Sequence, residues 1–331
     1  RVVVRETGNK FLGYEGTHFY KINGRYYLFF IHSLPDKWWR VAACFSSDSI
    51  DGEFTGGDVL NDDCGYCGQG VAQGGIVETP EGAWFGVFFQ DRGAVGRIPM
   101  LVPMQWKDNL PVFGENGKIP EDIPVTSTRE KHDYLPLIGS DDFIPDNSGS
   151  NKTQSLKSWW QWNHSPDNEL WHLEDKGALV LRSGKVCRNV TQAQNVLTQR
   201  ALFPRCSASV LADGSKMKDG DHAGLAAFQG VYGLIALVRE GNNFSVRTLH
   251  RENTDPGMMK LPEDNDYGKE TARIDLHNDV LINLPRPAIR LRMDFDFTEM
   301  KDTVDFFADI GGWQRIGESH KLCFKLDHFC G

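Results

Sequence analysis

Hydrophobic and polar positions alternate along most of this chain with the period of two that marks half-buried strands, and no sustained helical repeat interrupts them. The clearest segment is His18-Phe-Tyr-Lys-Ile-Asn23-Gly24-Arg-Tyr-Tyr-Leu-Phe-Phe30. Asn-Gly supplies the two positive-φ residues of a type I′ turn, so two β-favouring runs on either side predict a tight hairpin. Gly75–Phe89 repeats the plan around Glu81-Gly82, and the turn glycines Gly24 and Gly82 lie 58 positions apart. A further strand follows each copy, over Arg40–Ser46 and Arg97–Met104. The predicted unit is a small antiparallel meander, the plan of a propeller blade, which closes into a ring only with several more copies.

From Pro120 to about Ser155 the chain turns polar and rich in turn residues, which predicts a linker over 126–154 between a first domain, 1–125, and a second, 155–331. In the second domain Ile289, Leu291, Met293, Phe295 and Phe297 alternate with Arg290, Arg292, Asp294 and Asp296, so one strand face is buried and the other wet. Similar runs at Ala178–Arg182, Ser207–Leu211, Gly224–Gln229, Gly233–Arg239, Phe244–Leu249 and Val304–Ala308 predict an antiparallel β-sandwich, with a barrel as the main alternative. The chain opens on a polar run from Arg1 and closes on an alternating run, Lys321 to Gly331, that stops without a turn. Both ends are therefore expected to be internal to a longer protein, and no segment reads as an export signal.

Composition narrows the classes. The 331 residues include 34 Gly, 20 Phe, 9 Trp and 8 Tyr, which suits short strands and tight turns. A net charge of −9 with both signs interspersed argues against a nucleic-acid groove, and no apolar run approaches the ~20 residues of a membrane helix. Seven cysteines are too few for a disulfide scaffold; Cys64-Gly-Tyr-Cys67 has half-zinc-site or redox spacing, but a Gly-rich loop with buried or bridged thiols is the plainer reading. Asn151, Asn189 and Asn243 head glycosylation sequons.

Tyr14-Glu15-Gly16-Thr17-His18 before its hairpin resembles the acid-bearing segment of glycoside hydrolase family 43, the β-xylosidases and α-L-arabinofuranosidases. Gly70-Val-Ala-Gln73-Gly74-Gly75 and Phe89 to Trp106 resemble that family's last propeller segments. Asn195–Arg200 and Met217–Gln229 resemble the concanavalin-A-like sandwich of its β-xylosidase branch. The resemblance implies an all-β chain: the C-terminal blades of a five-bladed propeller, then the sandwich. It also implies an exo-acting enzyme that releases xylose or arabinose from hemicellulose oligosaccharides with inversion, acid and base standing roughly 6.5–9.5 Å apart. Glu15 matches the acid; the base and a pKa-tuning Asp belong to earlier blades and have no match in 1–331, so these residues alone are expected to be inactive.

Gln73 stands where the family usually has a His facing the central cavity, which weakens a structural Ca2+ ion there, so no cofactor is expected. Arg97 matches an Arg that reaches substrate, with Ile98 in place of the Glu that follows it in the family. His32 and Trp39, beside Trp38, are candidates to flank the sugar. Each residue also has a plainer reading: turn carboxylate, loop amide, surface strand charge, core aromatic. Trp159, Trp160 and Trp162 are expected to be buried as anchors between the domains. The expected partner is an oligosaccharide, in an extracellular or periplasmic setting. The rival reading is a non-catalytic carbohydrate-binding or inactive module.

Overall fold

The computed structural model describes residues 2–6, 8–124, 131–145, 155–187, 190–229, 231–250, 282–284 and 287–323. The sequons at Asn151 and Asn189, part of the expected linker and the end of the expected C-terminal strand lie outside them. The chain is all β and divides into two compact units, Arg1–Thr128 and Arg129–Gly331.

The first unit holds two four-stranded antiparallel meanders. One comprises β1 (Glu15–Ile22), β2 (Arg25–Ser33), β3 (Arg40–Ser47) and β4 (Thr55–Leu60); the other β5 (Ala72–Glu78), β6 (Trp84–Asp91), β7 (Arg97–Lys107) and β8 (Leu110–Phe113). The first hairpin closes as its sequence dictates: Ile22 pairs Arg25, with Asn23 and Gly24 at φ 49° and 83°. The second differs. Thr79 N–H bonds Ala83 O and Gly82 N–H bonds Thr79 O, so Pro80, Glu81 and Gly82 form a connection one residue longer. A two-residue I′ turn on Glu81-Gly82 would demand positive φ at Glu81 as well and put Pro80, which has no N–H, in the closing pair; the three-residue connection leaves Gly82 to carry the positive φ alone, at 83°.

The inward faces of the two meanders share one core. Tyr27, Phe29, Ile31, Ala42, Cys44 and Leu60 meet Val71, Ala72, Ile76, Phe88, Val102, Met104 and Phe113. Phe113 takes Phe29 and Phe88 edge-on, with centroids 6.4 and 5.1 Å away, the geometry that ring quadrupoles favour. Burial pushes the Cys44 thiol up to about 12, so it behaves as a small apolar side chain.

The second unit is a β-sandwich. Short pieces come first: β9 (Gln161–Trp162), β10 (Trp171–Glu174), β11 (Ala178–Leu181) and β12 (Leu197–Thr198). The main strands are β13 (Arg205–Asp213), β14 (His222–Ala227), β15 (Gly233–Glu240), β16 (Asn243–His250), β17 (Ile282–Asn283), β18 (Ala288–Asp296), β19 (Thr303–Asp309), β20 (Trp313–Arg315) and β21 (His320–Lys321). One sheet orders them β13-β18-β19-β20, with β21 also on β19, and the other β14-β15-β16-β17. Ile289, Leu291 and Met293 of β18 are buried as their alternation predicts, with Val304, Phe306 and Ala308 of β19, Ile235 and Leu237 of β15 and Val246 of β16.

The described part of the expected linker is tied to this unit. Gly139 N–H bonds Gln199 Oε1, Gln199 Nε2 bonds Gly139 O, and Trp160 Nε1 donates to Asp141. Trp160 stacks on Phe143 at 5.5 Å and Trp162 packs on Trp171 at 5.2 Å.

Candidate active site

Antiparallel order decides where the chemistry-bearing residues of the first unit meet. β1, β3, β5 and β7 begin at the sheet end where β2 and β6 finish, so Glu15 pairs Ile31, Arg40 pairs Ser33, Ala72 pairs Phe89 and Arg97 pairs Asp91. The hairpin turns lie at the opposite end. Glu15, Gln73 and Arg97, far apart in sequence, are thereby gathered at one end of the two sheets.

A β-bulge stands at this end in the first strand of each meander: the register shifts between Glu15 and His18 in β1 and between Ala72 and Gly75 in β5. Bulges bend a strand and redirect its side chains. Gln73 occupies the second bulge with φ 53°, and its carboxamide lies across Gly16, so closely that a Cβ built there would stand 2.2 Å from Gln73 Nε2. Glu15 is exposed at the start of β1. Burial pushes the Arg97 guanidinium below its ordinary pKa, and the nearby Glu15 carboxylate opposes that shift. Arg97 Cζ sits 4.2 Å from the centroid of Phe89 and its Nε 3.4 Å from Asp91 Oδ1.

Behind Arg97 lies a buried layer. Arg40, 3% exposed, hydrogen-bonds Asp91 Oδ2 through Nη1 and Gln69 Oε1 through Nη2 at 2.5 Å. Burial lowers its pKa to about 10, with Arg97 adding to the shift, so it stays charged at neutral pH. Gln90, fully buried, donates to Asp63 O and Gln69 O at 2.7 and 2.5 Å and so fixes the loop that carries Gln69.

The other candidates are placed differently. His32 is buried, with Nδ1 2.7 Å from Glu6 Oε1 and Nε2 2.7 Å from Asp58 Oδ1. Both ring nitrogens are thus engaged by carboxylates, and the ring packs on Tyr14 at 4.7 Å, directly before Glu15. Desolvation lowers the His32 pKa, but the bonds to Asp58 and Glu6 outweigh it and the net shift is upward. Trp39 Nε1 donates to Asn61 at 2.7 Å, and Lys37 Nζ lies 4.5 Å from its ring centroid. Trp38 packs edge-on to Phe11.

Cys64 and Cys67 correct the expectation of buried or bridged thiols: both are exposed and free. They sit in two successive turns, Tyr66 N–H to Asp63 O and Gln69 N–H to Tyr66 O, each Cys followed by Gly at positive φ. Asp63 accepts Gly65 N–H and Gly68 N–H, and these bonds, with those from Gln90, hold the loop without help from the thiols.

Among the described residues at this end the oxygen donors are too few to hold a Ca2+ ion by themselves. Calcium takes six to eight oxygens, whereas Gln73 offers a single neutral one and Arg97 sets a cation beside Glu15. No group of three or more His, Cys, Asp or Glu that could hold a metal occurs among the described residues.

Arg40, Asp91 and Gln69 escaped the sequence reading. Their signal was faint: an apolar run, Trp84–Phe89, that ends on Gln90-Asp91-Arg92, and an Arg beside Trp38-Trp39.

Residues 151–331 match the family described as the β-xylosidase C-terminal concanavalin A-like domain. A protein of Xylanibacter ruminicola assigned as a β-xylosidase is 27% identical over 232 residues, 69% of this chain and 42% of its own. A non-reducing end α-L-arabinofuranosidase of Bacteroides ovatus is 23% identical over 266 residues, 75% of this chain and 48% of its own. A solved structure of a bifunctional GH43-CE protein from Bacteroides eggerthii superposes with a TM-score of 0.78 at 35% identity, over 100% of this chain and 40% of that one. The chain thus spans less than half the length of each of these three relatives.

Proposed function

The chain belongs to the family of the β-xylosidase C-terminal concanavalin A-like domain of glycoside hydrolase family 43, and from that premise we propose that it is part of a glycosidase that releases xylose or arabinose from hemicellulose oligosaccharides with Glu15 as general acid. The observation that carries this reading is the convergence of Glu15, Gln73 and Arg97 at one end of two sheets, with Arg97 close enough to feel the Glu15 charge. The relatives named as xylosidase and arabinofuranosidase support the substrate class.

In this reading Glu15 protonates the departing glycosidic oxygen, because an alkoxide leaves poorly. Inversion needs a second carboxylate on the opposite face of the sugar to activate water. No residue of 1–331 matches that base by motif, and the reading assigns it to the remainder of a longer protein. Gln73 hydrogen-bonds a sugar hydroxyl, and Arg97 meets substrate oxygen with a charged donor. His32 then acts from behind, by anchoring the segment that leads through Tyr14 to Glu15.

The test uses the full-length protein with Glu15→Gln, on xylo- and arabino-oligosaccharides and on aryl glycosides. Turnover of the natural substrates should fall by orders of magnitude while aryl glycosides with acidic leaving groups keep much of their rate. Oligosaccharide turnover within a few-fold of wild type would remove Glu15 from the acid's role; absence of glycosidase activity in the wild type would favour the binding module.

A further inference from the structure

We propose that Asp91, anchored by the buried Arg40, is a positioning residue that holds the Arg97 guanidinium in place beside Glu15. The inference rests on the glycosidase reading for its consequence in catalysis, but its geometry is independent of that reading.

Asp91 and Arg97 are the last paired residues of the β6–β7 ladder. Arg92 N–H to Gly96 O at 2.9 Å and Gly96 N–H to Gly93 O at 3.0 Å close the connection between them, so both backbones are fixed. The Asp91 carboxylate divides its oxygens: Oδ2 accepts from Arg40 Nη1, and Oδ1 faces Arg97 Nε at 3.4 Å. Arg40 cannot yield. Its side chain is 4% exposed, its second Nη is held by Gln69, and its charge lacks water to replace a carboxylate. Arg97 is the mobile partner, with a side chain 35% exposed and the rotamer freedom of a long chain. Two contacts limit that freedom: Asp91 at Nε and the Phe89 ring beneath the guanidinium plane.

The plainer account is that Asp91 only neutralises Arg40 and supports the fold. The two accounts separate in a double-mutant cycle, because a residue that acts through Arg97 loses its effect once Arg97 is gone.

The experiment measures kcat, KM and melting temperature of the full-length protein with Asp91→Asn, Asp91→Glu, Arg97→Ala, Arg97→Lys and the Asp91→Asn/Arg97→Ala pair, on xylobiose and aryl glycosides. Asp91→Asn is expected to lower kcat/KM by about 10–100-fold, the scale set by misplacing a binding group by about an ångström. Arg97→Lys, which keeps the charge but loses the planar guanidinium whose Nε faces Asp91 and whose Cζ lies over Phe89, should match that loss without unfolding the protein. Asp91→Glu should recover part of the activity. In the Arg97→Ala background, Asp91→Asn should change kcat/KM by less than about twofold. Effects that multiply in the double variant, or an Asp91→Asn protein within twofold of wild type, would overturn the proposal. A crystal structure of the Asp91→Asn protein supplies a readout without catalysis: Arg97 should leave the Phe89 face, and an unmoved guanidinium refutes the proposal even if the wild type proves to be no glycosidase. Should Asp91→Asn fail to fold, Arg97→Lys and Asp91→Glu carry the test, and wild-type kcat/KM in Arg97→Lys would refute it.

Discussion

Gly74→Ala should destabilise the first unit far more than alanine at a turn glycine does, because Gly74 sits in the bulge where β5 pairs with β6 with no space between backbones. A Cβ at Gly74 would stand 1.9 Å from Val87 O and 2.9 Å from Phe88 Cα. A carbon-to-oxygen contact needs about 3.3 Å, so the strands must part by about 1.4 Å, and a hydrogen bond stretched by that much is broken. The pairs Ala72–Phe89 and Gly75–Val87 flank the site directly. Losing two or three ladder bonds at about 1 kcal/mol each, and disturbing the buried Ala72 and Ile76 beside them, gives a cost of about 3–5 kcal/mol. Gly24→Ala is the control, since nothing lies within 4 Å of its Cβ and only the left-handed backbone opposes the change, at about 1–2 kcal/mol. The assay is urea unfolding of the full-length protein followed by tryptophan fluorescence, with the Trp84–Trp106 pair of β6 and β7 as a local reporter. For a slope of about 2 kcal/mol/M the first-unit midpoint should fall by about 1.5–2.5 M for Gly74→Ala and by about 0.5–1 M for Gly24→Ala. Equal midpoints would refute the argument that strand approach controls the site.

Other outcomes follow from the same contacts. His32 has a raised pKa in the folded state, so the stability its charged form contributes is complete below its ordinary value of about 6.5 and is lost as pH rises through the raised value. The first-unit urea midpoint should therefore fall as pH rises above about 6.5 in the wild type; a His32→Gln protein with the same decline would exclude His32 as its source. Thiol reagents should modify Cys64 and Cys67 in the native protein while Cys44, pushed up to about 12, stays inert until the unit unfolds; labelled Cys44 in folded protein would contradict its burial. Phe306→Ala, in the core of the sandwich, should cost about 3–5 kcal/mol by denaturant titration, and a loss under 1 kcal/mol would mean that the site collapses freely.

What could be read along the chain was what neighbouring residues decide among themselves. Asn23-Gly24 selects its turn whatever surrounds it, and the alternation from Ile289 to Phe297 chooses a buried face because the strand period is two. The all-β class, the meanders and the sandwich follow from such local signals, and the motif around Glu15 pointed to the family. The second hairpin already escaped them: Glu81-Gly82 resembles a two-residue turn, but the ladder closes one residue further out at Thr79 and Ala83. His32 illustrates the larger limit. Its sequence position suggested a sugar contact, whereas the fold sets Glu6 and Asp58, each 26 residues away, on its two nitrogens. Arg40 and Asp91 lie 51 positions apart, and neither carries a local sign of the other. Turns and periodicities are properties of a few consecutive residues, so the sequence by itself determined strands, turns and the candidate acid. Which charges meet is a property of register between distant strands, where a shift of one residue sends a side chain to the opposite face, and only the tertiary structure decided the cluster of Arg40, Asp91 and Arg97.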